Sequence, residues 1–368
     1  MNILILIGGL QMGGGERMAC FLAGRWAEAG HAVSILTLDG PHRPYFELDR
    51  RVSLHHLGVS GPSRGFWEML VYFRHRIGKV RRFIQSADCD VVIGFGSPCM
   101  ALAPLAVAGL RAKAISREQS DPLFTEREMG KLKRTIHRLA LRRADAIVVQ
   151  SDAARAVLGA GQRRRTSVIP NPIRPVTSRA APGVPGADGR YKMVALGRLD
   201  PVKGYEMLLR AWARIHSRLP QWVLVIHGEG AERDHLESII AEAGLAGRAF
   251  LPGSTDEAEA RLAEAHLFVL TSRNEGFPNS LCEAMAVGLP VVATDCRCGP
   301  ADIVRPGQDG LLVPVDDIAA IADALLSLAS DPERRTAMGA EAREGAARFE
   351  TGKILAMWDA VLDRLGKG

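Results

Sequence analysis

The chain is built on short apolar runs that are too continuous to lie half in water. In its first half "NILILI" (Asn2–Ile7), "AVSILTL" (Ala32–Leu38), "DVVIGF" (Asp90–Phe95), "KAIS" (Lys113–Ser116) and "AIVVQ" (Ala146–Gln150) have strand length and many β-branched residues. A last short run, "SVIP", ends at Pro170. A second series holds "KMVAL" (Lys192–Leu196), "WVLVIH" (Trp222–His227), "AFLPG" (Ala249–Gly253), "LFVLTS" (Leu267–Ser272), "PVVAT" (Pro290–Thr294) and "GLLVP" (Gly310–Pro314). Stretches of helical spacing separate the runs. Strands apolar on both faces must be covered on both faces, which is the signature of parallel sheets made of βαβ units. The alternation breaks once, at "NPIRPVTSRAAPGVPGADGR" (Asn171–Arg190), which is rich in Pro, Gly and Ala and reads as a linker. The expected class is α/β, with a Rossmann-like domain over 1–170, a linker over 171–190, a second such domain over 191–350 and a final segment over 351–368. Doubly wound sheets bind ligands beyond the carboxyl ends of their strands, so two such domains facing each other would enclose an interdomain cleft.

A length of 368 residues exceeds one ordinary core, and 47% hydrophobic with 24% charged residues excludes a disordered chain. The start "MNILILIGGL" lacks a basic leader and a small-residue cleavage site, so it reads as a buried strand. The longest weakly polar run, "CMALAPLAVAGL" (Cys99–Leu110), is too short to span a bilayer and contains Pro104. The expected compartment is the cytoplasm. Cys20, Cys89, Cys99, Cys282, Cys296 and Cys298 form no CxxC pair and have no His at zinc-finger spacing, so buried reduced thiols are expected. Cys296-Arg-Cys298 leaves a redox-sensitive pair open. Residues 1–172 hold 25 Lys+Arg against 14 Asp+Glu, whereas 173–368 hold 22 against 27. Such asymmetry points to a first half that meets a negatively charged partner.

The informative motifs all follow strands. "GGLQMGGGERM" (Gly8–Met18) has three consecutive glycines, Gly13, Gly14 and Gly15, at a helix start that favours an anion. It is neither a Walker loop nor G-x-G-x-x-G, so a nicotinamide site is poorly supported, and a plain flexible turn is the alternative. "GRLDPVKGYEMLLRAW" (Gly197–Trp212) sets Arg198 and Lys203 at a strand end, which suits a diphosphate, with a solvated basic pair as the alternative. "HGEGAERDHL" (His227–Leu236) lacks the third glycine of a dinucleotide fingerprint and reads as a tight turn. "RNEGFPNSLCEAMAVG" (Arg273–Gly288) carries Glu275 in a Gly-Phe-Pro turn and Glu283 in a helix. Ser280-x-x-Glu283 has the form of a capping box, which would account for Glu283 but not for Glu275.

Together "GRLDPVKG", "EGFPNSLCEAMAVGLPVVATD" and "GPADIVRPGQDGLLVPVDD" resemble the retaining nucleotide-sugar glycosyltransferases of family 4. The amino end, "GGLQMGGGERMACFLAGRWAEAGHAVSILTLDG", is similar to that family's opening. The resemblance covers nearly the whole chain and rests on several motifs agreeing in order. It implies the GT-B fold, with the first domain binding the acceptor, the second the donor, and the final helix crossing back to the first. It implies Arg198 and Lys203 on the donor diphosphate, beside Gly197, and Glu283 on the ribose hydroxyls. Glu275 would hold the sugar's hydroxyls, with Gly276, Phe277, Pro278, Asn279 and Ser280 nearby. Gly13 to Gly15 would face the phosphates from the other domain. With Arg and Lys so placed no metal or cofactor is expected, and no DxD-like pair is present to hold a metal. Many relatives place a His in the first domain near the donor sugar. Here that region reads "AISREQSDP" (Ala114–Pro122), and Glu118 is taken instead as a polar contact, grouped with Glu275, Arg198 and Lys203 as catalytic.

The basic excess concentrates in "FRHRIGKVRRF" (Phe73–Phe83) and "REMGKLKRTIHRLALRR" (Arg127–Arg143), which suit either an anionic membrane surface or an ordinary solvated helix face. Nucleic acid is disfavoured, since no aromatic interleaving accompanies the charge. The resemblance implies transfer from a UDP-sugar, in preference to a GDP-sugar, to a glycan or a polyprenyl-diphosphate-linked acceptor in cell-surface polysaccharide synthesis. "CRCGPADIV" (Cys296–Val304) resembles a segment of relatives acting on N-acetylhexosamines. The alternatives are a nucleotide-sugar epimerase or phosphorylase of the same fold, and a catalytically silent nucleotide-sugar-binding subunit.

Overall fold

The computed structural model describes residues 1–11, 13–59 and 66–366; Met12, inside the glycine-rich stretch, lies outside them. The chain divides into two compact units, Met1–Pro170 with Ala356–Gly368, and Asn171–Leu355. In unit 1 the strands β1 (Asn2–Ile7), β2 (Ala32–Thr37), β3 (Ser53–His56), β4 (Val91–Phe95), β5 (Lys113–Arg117), β6 (Ala146–Val149) and β7 (Thr166–Val168) form one sheet. Its order is β3-β2-β1-β4-β5-β6-β7, and every pairing is parallel. In unit 2 the strands β8 (Tyr191–Leu196), β9 (Trp222–His227), β10 (Ala249–Gly253), β11 (Leu267–Leu270), β12 (Val291–Thr294) and β13 (Gly310–Val313) run in the order β10-β9-β8-β11-β12-β13, again parallel.

The central strands are buried on both faces, as continuous apolar sequence requires: Leu4, Ile5 and Leu6 are sealed in unit 1, and Met193, Ala195, Leu224 and Phe268 in unit 2. β3 is the one strand without an apolar run. "SLHH" alternates exposed and half-buried residues at the edge of its sheet, where only one neighbour is paired. The strand order reverses at β1 and β4 in unit 1 and at β8 and β11 in unit 2, so each sheet has one switch point where loops part at the carboxyl ends.

Asn171–Arg190 lies along unit 2 rather than in open solvent. Ala180 donates to the Val287 carbonyl, and the Pro182 carbonyl accepts from the buried Arg335, whose guanidinium stacks on Tyr191 and Trp222 at 4.9 Å. The last helix, Thr351–Gly366, carries Trp358 into the core of unit 1, edge-on to Trp26 with ring centroids 5.6 Å apart.

Candidate active site

In unit 2 the loops after β8 and β11 meet at the switch point. Asp200 caps a 3-10 turn, Pro201–Lys203, by accepting from the Val202 amide. The turn ends at Gly204, in the left-handed region at φ +64°, where an added Cβ would strike the Thr271 carbonyl. Thr271 Oγ1 in turn donates to the Lys203 carbonyl at 3.0 Å. Only glycine fits such a place, because both the torsion and the space exclude a side chain. The clamp fixes Lys203, whose Nζ lies 2.6 Å from Glu275 Oε1; the same oxygen accepts from Ser272 Oγ at 2.6 Å. With side chains 19% and 10% exposed, the pair is largely shielded from water, so each charge relies on the other. Gly197 packs under it. A Cβ there would meet the Tyr205 hydroxyl at 2.7 Å, with the Lys203 stem beyond. Burial, with Glu275 adding to it, pushes the Tyr205 hydroxyl far up, so it stays a neutral donor.

Arg198 is exposed, and its side chain holds no partner among the described residues. The glycines of "HGEG" serve packing: Gly228 lies against the Gly197 carbonyl and Gly230 against the Leu199 backbone, so this motif buttresses the Arg198 turn. Past β11, Gly276 and Phe277 lead to Pro278, which caps the helix Asn279–Ala286. The Phe277 ring packs in the core, edge-on to Phe349 at 5.4 Å, leaving only its backbone for a ligand. Because the helix starts at Asn279, Ser280 already has helical geometry and makes no side-chain cap, so the capping-box account of Glu283 fails. The Asn279 and Ser280 amides have no hydrogen bond among the described residues, and Glu283 is half-buried one turn further on. Sequence reasoning missed Gly299. At φ +96° its absent Cβ would lie 2.7 Å from Pro278 Cδ, so it supports the Gly-Phe-Pro turn; the Gly-Pro dipeptide was the available signal.

In unit 1 the helix Gly14–Glu28 begins after Gly13, whose backbone is extended and has no need of glycine. Glu16 folds its carboxylate back against Gly13, and the Gln119 amide lies against Gly15, so small size is what these positions supply. Beside them is a cavity of about 770 Å³, lined in part by Glu16, Phe73, Arg76, Phe95, Glu118 and His137. Glu118 is 4% exposed. Burial pushes its carboxyl up to about 7, although the Gln119 and Ser120 amides donate to Oε1 at 2.9 and 3.2 Å. Arg117, stacked over Phe95 at 4.7 Å, is drawn down to about 9 by burial. His137 was not singled out in the sequence. It stands with Ala140 and Leu141 on the buried face of the helix Lys131–Arg143, and that i, i+3, i+4 spacing was the sign of its inward turn.

Part of the basic excess is structural. Arg76 donates to the Val59 carbonyl, Arg81 to those of Ala106 and Ala108, Arg134 to those of Glu126 and Met129, and Arg138 pairs with Glu126. Arg74, Lys131, Lys133, Arg142 and Arg143 stay exposed. No helix among the described residues is long and apolar enough to cross a membrane. All six cysteines are buried free thiols, and burial, with Glu275 next, raises Cys296 to about 12.

Two family models match in succession. Residues 12–176 match "Glycosyltransferase Family 4" and residues 180–345 match "Glycosyl transferases group 1". The chain belongs to glycosyltransferase family 4. An exopolysaccharide phosphotransferase of Streptomyces coelicolor is 28% identical over 98% of this chain, which spans only 40% of that relative's length. A Campylobacter jejuni enzyme adding N-acetylgalactosamine to a diphospho-undecaprenol-linked sugar is 33% identical, with 44% of each chain aligned. Among solved structures, the Anabaena protein Alr3699/HepE in complex with UDP and glucose superposes with a TM-score of 0.75 at 18% identity, with 99% of both chains covered. The family 4 chain therefore has the GT-B fold, its two Rossmann-like sheets of seven and six strands being the two units described above.

Proposed function

We propose that this glycosyltransferase moves a hexose or N-acetylhexosamine, with retention of configuration and without a metal, from a UDP-sugar to a lipid-linked or glycan acceptor in surface-polysaccharide synthesis. The observation that carries the reading is the clamped Lys203–Glu275 pair beside the unbonded Asn279 and Ser280 amides and the unpaired Arg198. Cleavage of the donor's glycosidic bond develops negative charge on the leaving diphosphate. Preorganised cations and amides stabilise that charge without having to reorganise. In this reading Arg198 and Lys203 bind the diphosphate, and the helix start at Asn279 contributes its free amides and dipole. Glu275 orients the sugar hydroxyls and Glu283 takes the ribose.

The UDP complex of the Anabaena protein supports a uridine donor, and the lipid-diphosphate acceptor named for the Campylobacter relative supports an acceptor of that class. The exposed Lys131, Lys133, Arg142 and Arg143 would meet an anionic membrane carrying it; flotation with anionic but not neutral liposomes tests this. The donor assignment is tested by calorimetric titration of UDP, GDP and ADP, without added metal, into wild type and Lys203→Ala. The expected result is a preference for UDP that weakens in the variant. Failure of all three nucleotides to bind would overturn the reading in favour of a silent partner subunit.

A further inference from the structure

The segment that opens unit 2 reaches the helix start of the candidate active site through one side chain. Asn171 Nδ2 donates to Asn279 Oδ1 at 2.8 Å, across 108 residues of sequence. Asn171 is 5% exposed, and its place is set by the chain that follows it. Pro172 keeps the residue before it out of the helical region. Ile173, also buried, donates its amide to the Phe349 carbonyl at 2.9 Å and accepts from Thr351 Oγ1 at 3.1 Å. The Asn171 carboxamide therefore projects from a strap pinned within unit 2, not from a loose linker.

That bond decides which way the Asn279 carboxamide faces. A carboxamide has an oxygen on one side and an NH2 group on the other, so with Oδ1 turned to Asn171 the NH2 must face away. Asn279 Nδ2 has no hydrogen bond among the described residues, and Asn279 is half-buried at the first position of its helix. Its two N–H donors thus join the unbonded Asn279 and Ser280 amides at one helix start. Hydrogen bonds from such groups to an anion are strong, and the helix dipole adds to them. We propose that Asn171 is a positioning residue of the donor site, holding Asn279 so that Nδ2 donates to the donor's diphosphate. Turned the other way, Asn279 would present its oxygen to the anion and repel it. The proposal rests on the donor reading for its ligand, while the orientation of Asn279 by Asn171 is independent of it.

The test is a double-mutant cycle read by calorimetric titration of UDP into the full chain. In Asn171→Asp the new carboxylate accepts from Asn279 Nδ2, so a hydrogen bond between the two residues is kept while the carboxamide is reversed. UDP affinity should fall about tenfold, the worth of one hydrogen bond to a charged group. In the Asn279→Ala background there is no carboxamide to turn, and the same Asn171→Asp change should cost less than about twofold. Asn171→Ala repeats the comparison without adding a charge, and it carries the test if the buried aspartate prevents folding. It should cost about threefold beside Asn279 and almost nothing in the Asn279→Ala background. A merely structural bond would leave Asn171→Asp with unchanged UDP affinity, and a plain charge effect would weaken UDP equally in both backgrounds. Either result would overturn the proposal and leave the donor reading standing. Failure of wild type to bind UDP would overturn that reading and this proposal with it.

Discussion

The polar groups of the two units are satisfied in opposite ways. In unit 2 the buried cation and carboxylate have found each other: Lys203 and Glu275 lie 2.6 Å apart, locked by Ser272 and by a glycine that admits no side chain. In unit 1 the buried Glu118 and His137 line a cavity with no ion pair between them, and His137 Nδ1 is buried without a hydrogen bond. The difference teaches that preorganisation has two forms. A charged site can be held ready by an internal counter-ion that the ligand displaces, whereas a lone buried carboxyl can persist without a counter-ion because burial raises its pKa and eases its protonation.

The largest effect should come from breaking the closed site. On the proposed reading Lys203→Ala would deprive the leaving diphosphate of a cation and leave Glu275 buried alone, so kcat/KM for transfer should fall about 10²- to 10³-fold. Measuring kcat and KM separately sharpens this, since loss of transition-state charge stabilisation lowers kcat. Gly204→Ala attacks the same site through its backbone. A Cβ at φ +64° against the Thr271 carbonyl should cost on the order of 3 kcal/mol, read as a lowered urea midpoint with unchanged m-value.

The open site should respond to pH instead. Glu118 titrates near 7 in the fold and near 4.5 when unfolded, so the folded state binds its proton more tightly. The stability this confers is fully present below about pH 4.5 and is lost as the pH rises through about 7. Glu118→Gln removes the dependence. Relative to wild type it should gain roughly 2 kcal/mol between about pH 5 and about pH 8, measured by urea unfolding at both. The smallest effect is expected at Gly15→Ala. Its new methyl meets only the movable end of Gln119, in a helical position that favours alanine, so stability should change by less than about 1 kcal/mol.

The same contrast explains what the sequence disclosed. Among the described residues twelve of thirteen strands announce themselves as apolar runs, the central ones because they are covered on both faces; β3 is silent because its edge position lets polar residues, two of them histidines, alternate along it. The donor-side candidates were legible because chain neighbours carry them. Gly197, Arg198, Lys203 and Gly204 lie within eight residues, as do Ser272, Glu275 and Asn279. The unit 1 pair was not, since Glu118 and His137 come from a strand end and a separate helix, and an inward-facing histidine on an apolar stripe ordinarily reads as a satisfied core residue. Its missing hydrogen bond is a property of three-dimensional neighbours. The capping box misled for a related reason: a Ser-x-x-Glu spacing says nothing of whether the proline two residues earlier has already begun the helix.

Trp358 belongs to the core of unit 1 although the whole of unit 2 lies between it and Pro170. During synthesis the second unit can therefore complete its own core while the first still lacks an indole beside Trp26. Domains that fold as they emerge do so from the amino end. Here the Trp26–Trp358 contact of the first unit can form only after the ribosome has delivered the last helix.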